Sequence, residues 1–295
     1  MDKLIFKKIG IEDKELFNIF FKKYQPEISE LTFTNLFIWQ KYREIEYALY
    51  ENGLIILATI HGKKFFFEPV GFPNPEKIIL ELFEYSKKNN ITDSFKRVSE
   101  KTVKQLTDLS LKIEEDRNSF DYLYKTEDLA FLKGRNYSSK RNFITKFFAE
   151  YSHRYWKFTN APDCRKKCIE LTEKWFEKRH DTDPTLKYEY DAIMLMFEYF
   201  DKLDSIGSVI CVDEKIAAYT FGEKLNKNTF VVHFEKALHH YTGIYQTINK
   251  LFAENELLGN YEFINREQDL GIEGLRKSKS SYLPVNLIKK YNITI

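Results

Sequence analysis

The chain has 295 residues, 43% of them hydrophobic and 16% aromatic, which is ample for packed cores, long for one domain and comfortable for two. Lys and Arg number 46 against 44 Asp and Glu, so the net charge is +2, which excludes a protein built only to coat nucleic acid while allowing local basic patches. Seven Pro and eleven Gly exclude a long disordered linker, three Cys make no disulfide framework, and no apolar run approaches the roughly 20 residues of a membrane span.

In chain order, residues 4–9 read as a short strand. Residues 12–23 carry Leu16, Ile19 and Phe20 at helical spacing, and 35–42 supply a second helix. Residues 47–50, 54–60 and 64–69 read as strands joined by turns at Asn52-Gly53 and His61-Gly62. A helix over 76–88, a strand over 95–98, a helix near 101–109 and a strand over 121–124 follow. A helix over 138–151 connects to the second half. There the pattern predicts a strand over 155–158 and helices over 164–179 and 190–203, then a meander of strands over 208–212, 216–223 and 229–234. A helix over 244–254, a strand over 261–265, a helix over 273–278 and a closing strand over 285–290 complete the chain. Both halves read strand, two helices, three strands, helix, strand, helix, strand. The expected class is therefore α+β with mixed α/β sheets, in two tandem domains over 1–137 and 138–295, rather than a doubly wound parallel fold.

Chemistry-bearing residues concentrate in 261–282. An apolar entry, Tyr261, Phe263 and Ile264, runs into Asn265, Arg266, Glu267 and Asp269. Gly271 and Gly274 then bracket a turn before Arg276, Lys277 and Lys279. In acyl transfer the nucleophile loses a proton while an oxyanion grows on the attacked carbonyl; a carboxylate serves the first event and an Arg the second. Asp269 or Glu267 is accordingly the expected proton-handling group, with Arg266 and Arg276 as anion contacts. Asn265, Lys279 and Tyr282 are substrate-binding candidates beside them. A solvated strand-turn-helix corner, or a structural Arg–Glu pair, uses the same residue types.

A second group is basic. Lys133, Arg135, Lys140, Arg141 and Lys146 surround the flexible Gly134, with Asn142 beside them. Such cations could hold the phosphates of an RNA end or a lipid head group, and Ser138 and Ser139 at an N-cap position could add backbone amides. In a third group, strand alternation puts His233 and Glu235 on one face, where Glu223 joins them if register permits. Solvated helix face and edge decoration are the plain alternatives for these two groups. Cys164, Cys168, Leu171 and Trp175 form an apolar helical stripe and read as core, and no metal site is expected. Asp181 and Asp183, before Pro184, read as turn chemistry. The sequence holds no P-loop, Rossmann fingerprint or Ser/His/Asp triad.

These residues carry a resemblance. The segment DYLYKTEDLAFLKGR at 121–135, followed by Lys140, Arg141 and Asn142, is similar to the phosphatidylglycerol lysyltransferase C-terminal domain family. So are Gly222 and Glu223, the run from His233 to Ala237, the run from Gly243 to Asn249, and the stretch from Ile264 to Tyr282. The resemblance implies a pair of acetyltransferase-like (GNAT) domains, an arrangement shared with Fem-type peptidoglycan aminoacyltransferases. It also places Asn249 among the substrate-binding candidates. In lipid-modifying members an aminoacyl group passes from a charged tRNA to the hydroxyl of phosphatidylglycerol, with the reaction centre between the two domains. Those enzymes usually carry a large membrane-embedded region ahead of the catalytic part; this sequence shows none, so an anionic lipid and a small amine both stand as acceptors. Superfamily members using acetyl-coenzyme A carry an Arg/Gln-x-x-Gly-x-Gly/Ala loop. Here the matching stretch runs from His239 to Tyr245, where Gly243 survives and the second small position is the bulky Tyr245.

The expected function is therefore aminoacyl transfer from aminoacyl-tRNA to a hydroxyl or amine acceptor, with no cofactor. The rivals are an acyl-coenzyme A-dependent N-acyltransferase of a small amine, and a non-catalytic module binding anionic lipid or RNA. The start lacks the apolar core of a secretion signal, so the expected location is the cytoplasm, with contact at the inner membrane surface allowed. The oligomeric state is not legible.

Overall fold

Two seven-stranded mixed sheets organise the structure, a computed structural model describing residues 4–108, 110–177 and 186–295. The elements run β1 (Lys7–Lys8), α1 (Lys14–Tyr24), α2 (Phe33–Ile38), β2 (Glu44–Tyr50), β3 (Gly53–Ile60), β4 (Lys63–Phe66), α3 (Pro75–Asn89), β5 (Ser94–Ser99), α4 (Glu100–Val103) and β6 (Lys112–Glu115). They continue with β7 (Asp121–Lys125), α5 (Thr126–Phe131), α6 (Ser138–Glu150), β8 (His153–Lys157), α7 (Pro162–Glu177), α8 (Leu186–Tyr199), β9 (Ser205–Val212), β10 (Lys215–Lys224) and β11 (Thr229–Ala237). Last come α9 (Ile244–Phe252), β12 (Phe263–Asn265), α10 (Glu273–Ser280), β13 (Asn286–Ile288) and β14 (Lys290–Thr294).

The chain divides into two units. One comprises Met1–Tyr122, Gln268–Lys277 and Leu287–Ile295; the other comprises Leu123–Glu267 and Ser278–Asn286. Residues 123–137, assigned to the first domain on sequence, belong to the second unit. The turn expected at 181–184 lies outside the described residues.

The first sheet has the order β1-β2-β3-β4-β5-β14-β6. Its β3–β4 hairpin turns at His61 and Gly62 with φ of 48° and 77°, the paired positive angles a two-residue turn needs to match strand twist. The β2–β3 turn falls at Glu51 and Asn52, one residue earlier than expected, so Gly53 opens β3. Helix α3 starts at Asn74, whose side chain accepts from the Lys77 amide at 3.0 Å, and stops at Asn90 in the left-handed region. Its Ile78, Ile79, Leu82 and Phe83 pack on Phe66 and Phe95 of the sheet. The parallel pairing of β4 with β5 is limited to Phe66 and Phe95. Just beyond it, the Glu68 carboxylate accepts from the Ser99 amide at 2.8 Å and hydroxyl at 2.6 Å, stitching the two diverging chains together.

The expected closing strand over 285–290 is two strands in different sheets: β13 joins the second and β14 enters the first between β5 and β6. The break falls where Lys290 must be buried, a requirement that hydrophobic alternation does not reveal. Strand β6 and helix α5 likewise leave no periodic signal in the sequence. Strand β6 is largely exposed and carries no alternating pattern, and α5 has only six residues.

The second sheet has the order β13-β7-β12-β11-β10-β9-β8. Strands β9, β10 and β11 form the anticipated meander, packed through Phe158, Phe197, Tyr219 and Phe221. Two features position chemistry here. The β10–β11 register moves from Phe221↔Phe234 to Gly222↔Val232, leaving His233 as the extra residue of a bulge. Gly222 is required at that point, because a Cβ would lie 2.1 Å from the Val231 carbonyl oxygen. Parallel pairing of β11 with β12 then ends at Val231↔Asn265, although β11 continues to Ala237. Among the described residues no helix is long and apolar enough to cross a membrane.

Candidate functional site

Most of the expected residues outside the basic segment fall into three hydrogen-bonded groups, two in the second unit and one in the first. The bulged His233 anchors one. Its side chain is fully buried, with Nε2 2.9 Å from Glu223 Oε1 and Nδ1 2.8 Å from Glu267 Oε1. Burial opposes the charged ring, but hydrogen bonds and charge from Glu223 and Glu267 outweigh it and raise the His233 pKa to about 9. The ring is thus an imidazolium donating to two carboxylates. Glu267 reaches it from a left-handed backbone, φ 54°, held by its amide donating to Asn265 Oδ1 at 2.8 Å.

The second group lies where β11 and β12 part. The Glu235 carboxylate accepts from Asn249 Nδ2 of α9 at 3.3 Å and from Arg266 Nη2 at 3.3 Å. Both bonds are long for a carboxylate. The Arg266 guanidinium lies 5.0 Å from the Tyr282 ring and 5.8 Å from the Tyr124 ring. Burial works against its charge, and Glu235 and the two phenols more than compensate, holding its pKa above the usual value. Yet Arg266 Nη1 and Asn249 Oδ1 are buried with no hydrogen-bond partner among the described residues. Lys140 Nζ sits 4.3 Å from the other end of this arrangement, the Tyr282 ring, and donates to Ser281 Oγ at 2.6 Å. Burial, then the Arg266 charge, lowers its pKa. Lys279 braces the group from behind, its Nζ donating to the Arg266 carbonyl at 2.5 Å and its own carbonyl accepting from Tyr124 at 2.8 Å. Tyr282 is buried and its carbonyl accepts from Tyr137 at 2.9 Å.

Asp269 and Arg276 form the third group, in the first unit. Arg276 grips the carboxylate through Nε at 3.0 Å and Nη2 at 2.9 Å. Arg117 Nη1 at 3.0 Å, the Tyr122 hydroxyl at 2.7 Å and the Gly271 amide at 2.8 Å complete the shell. Burial alone would raise the Asp269 pKa; these donors hold it far below the ordinary carboxylate range. A carboxylate with about four lone-pair directions and this many donors has little capacity left to accept a proton. The geometry suits holding a turn rather than moving a proton.

The basic group is not brought together. Arg141 donates to the Leu132 carbonyl and to the Gly134 carbonyl at 2.7 Å, closing the end of α5, while Arg135 and Asn142 are exposed. Lys140 joins the group around Tyr282. Sequence reasoning also missed a charged cluster buried in the first unit. Lys290 Nζ donates to Glu30 Oε2 and Asp121 Oδ1, each at 2.6 Å, and to Ser29 Oγ at 3.3 Å. The signal available was Glu30 standing between the apolar Ile28 and Leu31.

Two seven-stranded mixed sheets in tandem define a tandem GNAT-like fold. The chain belongs to the phosphatidylglycerol lysyltransferase C-terminal family, which matches residues 21–294. No curated protein matches it. A conserved protein of unknown function from Bacteroides thetaiotaomicron is 31% identical with a TM-score of 0.93, over 99% of this chain and 100% of that one. L-PGS from Bacillus licheniformis is 13% identical with a TM-score of 0.70, over 99% and 94%. A tandem GNAT protein from the clavulanic acid biosynthesis pathway is 7% identical with a TM-score of 0.52, over 98% of each chain.

Proposed function

We propose that this protein moves an aminoacyl group from an aminoacyl-tRNA to a hydroxyl or amine of an anionic lipid such as phosphatidylglycerol. The observation that carries the reading is the pairing of an unmet donor with a weakly engaged acceptor. Arg266 Nη1 is buried without a hydrogen-bond partner among the described residues, beside a Glu235 carboxylate that holds two 3.3 Å bonds. A buried donor left unmet costs about 1–3 kcal/mol, an arrangement worth keeping where charge develops during a reaction.

In this mechanism the acceptor hydroxyl or amine gives its proton to Glu235 as it attacks the aminoacyl carbonyl. Arg266 Nη1 stabilises the oxyanion that forms. The proton then passes to the ribose oxygen of the tRNA as the ester bond breaks. The aminoacyl ester is already activated, so the scheme needs no covalent enzyme intermediate. Asn249 orients Glu235, Lys140 meets the acceptor's phosphate, and Asp269 acts through Arg276 to hold the turn at 268–277. The donor choice is supported by Tyr245, fixed by a hydrogen bond from Trp175 Nε1 at 2.9 Å, where coenzyme A-dependent enzymes carry a small residue.

The test is to incubate the protein with a pool of charged tRNAs and phosphatidylglycerol vesicles and to seek aminoacylated lipid by mass spectrometry. The reading predicts a new lipid heavier by one aminoacyl group, dependent on charged tRNA. Absence of product from every charged tRNA, together with a melting temperature raised by millimolar acyl-coenzyme A, would overturn it.

A further inference from the structure

Strand register builds a row of polar side chains behind the Glu235–Arg266 group. Ser208 of β9, Thr220 of β10 and Glu235 of β11 stand directly opposite one another, so all three lie on one face of the sheet. That face is otherwise apolar where Ile210, Ala218 and Ala237 pack with Ile244 and Ile248 of α9. Ser208 and Thr220 are fully buried, where a hydroxyl costs stability unless it is hydrogen-bonded. Beyond Ser208 the row continues to the edge strand β8. There the Tyr155 hydroxyl is 2.8 Å from Ser208 Oγ and 3.4 Å from Oε1 of the half-buried Glu256, in the π-helical turn Ala253–Leu257 that follows α9. Burial raises the Tyr155 pKa, so the hydroxyl keeps its proton at neutral pH. One phenol proton serves one acceptor at a time, so it can turn between Ser208 and Glu256.

Two atoms at the Glu235 end of the row call for a ligand. Thr220 Oγ1 and Asn249 Oδ1 are buried with no hydrogen-bond partner among the described residues. Both residues adjoin Glu235, Thr220 by register and Asn249 through its Nδ2. Residues opposite one another on antiparallel strands have Cβ atoms about 4.5–5.5 Å apart, a spacing that a water between their side chains bridges. A buried water needs polar partners on several sides, and Thr220, Asn249 and Glu235 supply them.

We propose that an internal water bound by Thr220 and Asn249 joins Glu235 to Ser208, Tyr155 and Glu256, making this row a proton path to the edge of the sheet. The path rests on the reading of Glu235 as the base. Sheet order sends it across β10, β9 and β8, away from β12, so it leaves the parting of β11 and β12 to the substrates. Protonated Glu235 gives its proton to the water. Each oxygen along the row accepts one proton and releases another, and the Tyr155 phenol delivers the last to the Glu256 carboxylate, which returns it to solvent. One O–H bond forms for each that breaks. Glu235 can thus ionise while tRNA and lipid cover the parting. With an ammonium acceptor the path also clears the second proton, which the ribose oxygen does not take up.

The test has a structural and a kinetic arm. A high-resolution crystal structure of the wild-type protein is expected to show an ordered water within hydrogen-bond distance of both Thr220 Oγ1 and Asn249 Oδ1. Its absence overturns the proposal whatever the protein transfers, and this reading needs no variant to fold. For the kinetic arm, Thr220→Val keeps the shape and removes the hydroxyl, while Tyr155→Phe cuts the row three strands from Glu235. With whichever acceptor lipid gives product, each variant is expected to lower kcat about tenfold, with KM and melting temperature near wild type. Each should also enlarge the solvent deuterium isotope effect on kcat, which a merely structural role would not move. Wild-type kcat and isotope effect in both variants would overturn the path even with the water in place. Absence of any product from wild type is a separate result: it removes the transfer reading, and the use of the path falls with it.

Discussion

Arg276 holds both carboxylate oxygens of Asp269, Nε to Oδ2 at 3.0 Å and Nη2 to Oδ1 at 2.9 Å, seven residues along the same chain segment. The grip spans the left-handed Leu270 and Gly271, whose backbone is further tied by the Leu270 amide donating to the Asn118 carbonyl at 3.0 Å. Two exposed apolar side chains, Leu270 and Ile272, are therefore carried on a rigid turn.

Removing that anchor costs stability. Asp269→Ala is expected to lower unfolding free energy by roughly 2–4 kcal/mol, because charge-assisted bonds to Arg276, Arg117 and Tyr122 are lost together. Thermal or urea unfolding checks this, and wild-type stability in the variant would assign Asp269 a different role. The depressed folded pKa fixes the sign with pH: the contribution is present above the unfolded carboxylate value and is lost on acidification. Acid sensitivity should therefore be smaller in Asp269→Asn.

The Glu223–His233–Glu267 group has the opposite sign. The folded pKa of about 9 lies above the unfolded value near 6.5, so stabilisation is complete below 6.5 and lost as pH rises through 9. At full expression the difference corresponds to roughly 3 kcal/mol. The wild-type melting temperature should fall between pH 6.5 and 9 by roughly 2–4 °C per kcal/mol, and His233→Gln should flatten that slope. An equally steep slope in the variant would remove His233 as its source.

Lys290 is completely buried, and its three hydrogen bonds go to Glu30, Asp121 and Ser29. Lys290→Met leaves two carboxylates without their shared cation, at an expected cost of about 3–5 kcal/mol. Burial opposes ionisation of Glu30, and the Lys290 and Arg97 charges reverse that effect. Chemical denaturation of the variant measures the loss; a change under 1 kcal/mol, well below the 3–5 kcal/mol expected, would mean that the carboxylates find other partners.

Much of the fold was legible because amphipathic spacing survives in the elements that cover the sheets. Ile79, Leu82 and Phe83 declare α3, and the long strands of the β9–β11 meander declare themselves by apolar content. What period alone could not reveal was long-range pairing. The break before Lys290 and the insertion of β14 beside β5 depend on where Glu30 and Asp121 lie, more than 160 residues earlier. In the site, sequence spacing found Arg266, Glu267, Asp269 and Arg276 but treated neighbours in sequence as neighbours in chemistry. Strand direction sends Arg266 toward Glu235, while the left-handed turn at Glu267 aims the next side chain at His233. The bulge at His233 likewise breaks the simple alternation that paired it with Glu235.

The most direct test of the account is the transfer rate of Glu235→Gln and Arg266→Lys under saturating charged tRNA. Glu235→Gln keeps the shape and removes the base; Arg266→Lys keeps the charge and removes the unmet Nη1 donor. Each is expected to slow turnover by about 100-fold or more, with KM changed far less and the melting temperature within a few degrees of wild type. Undiminished turnover in both variants would contradict the account and move the reacting centre away from the parting of β11 and β12.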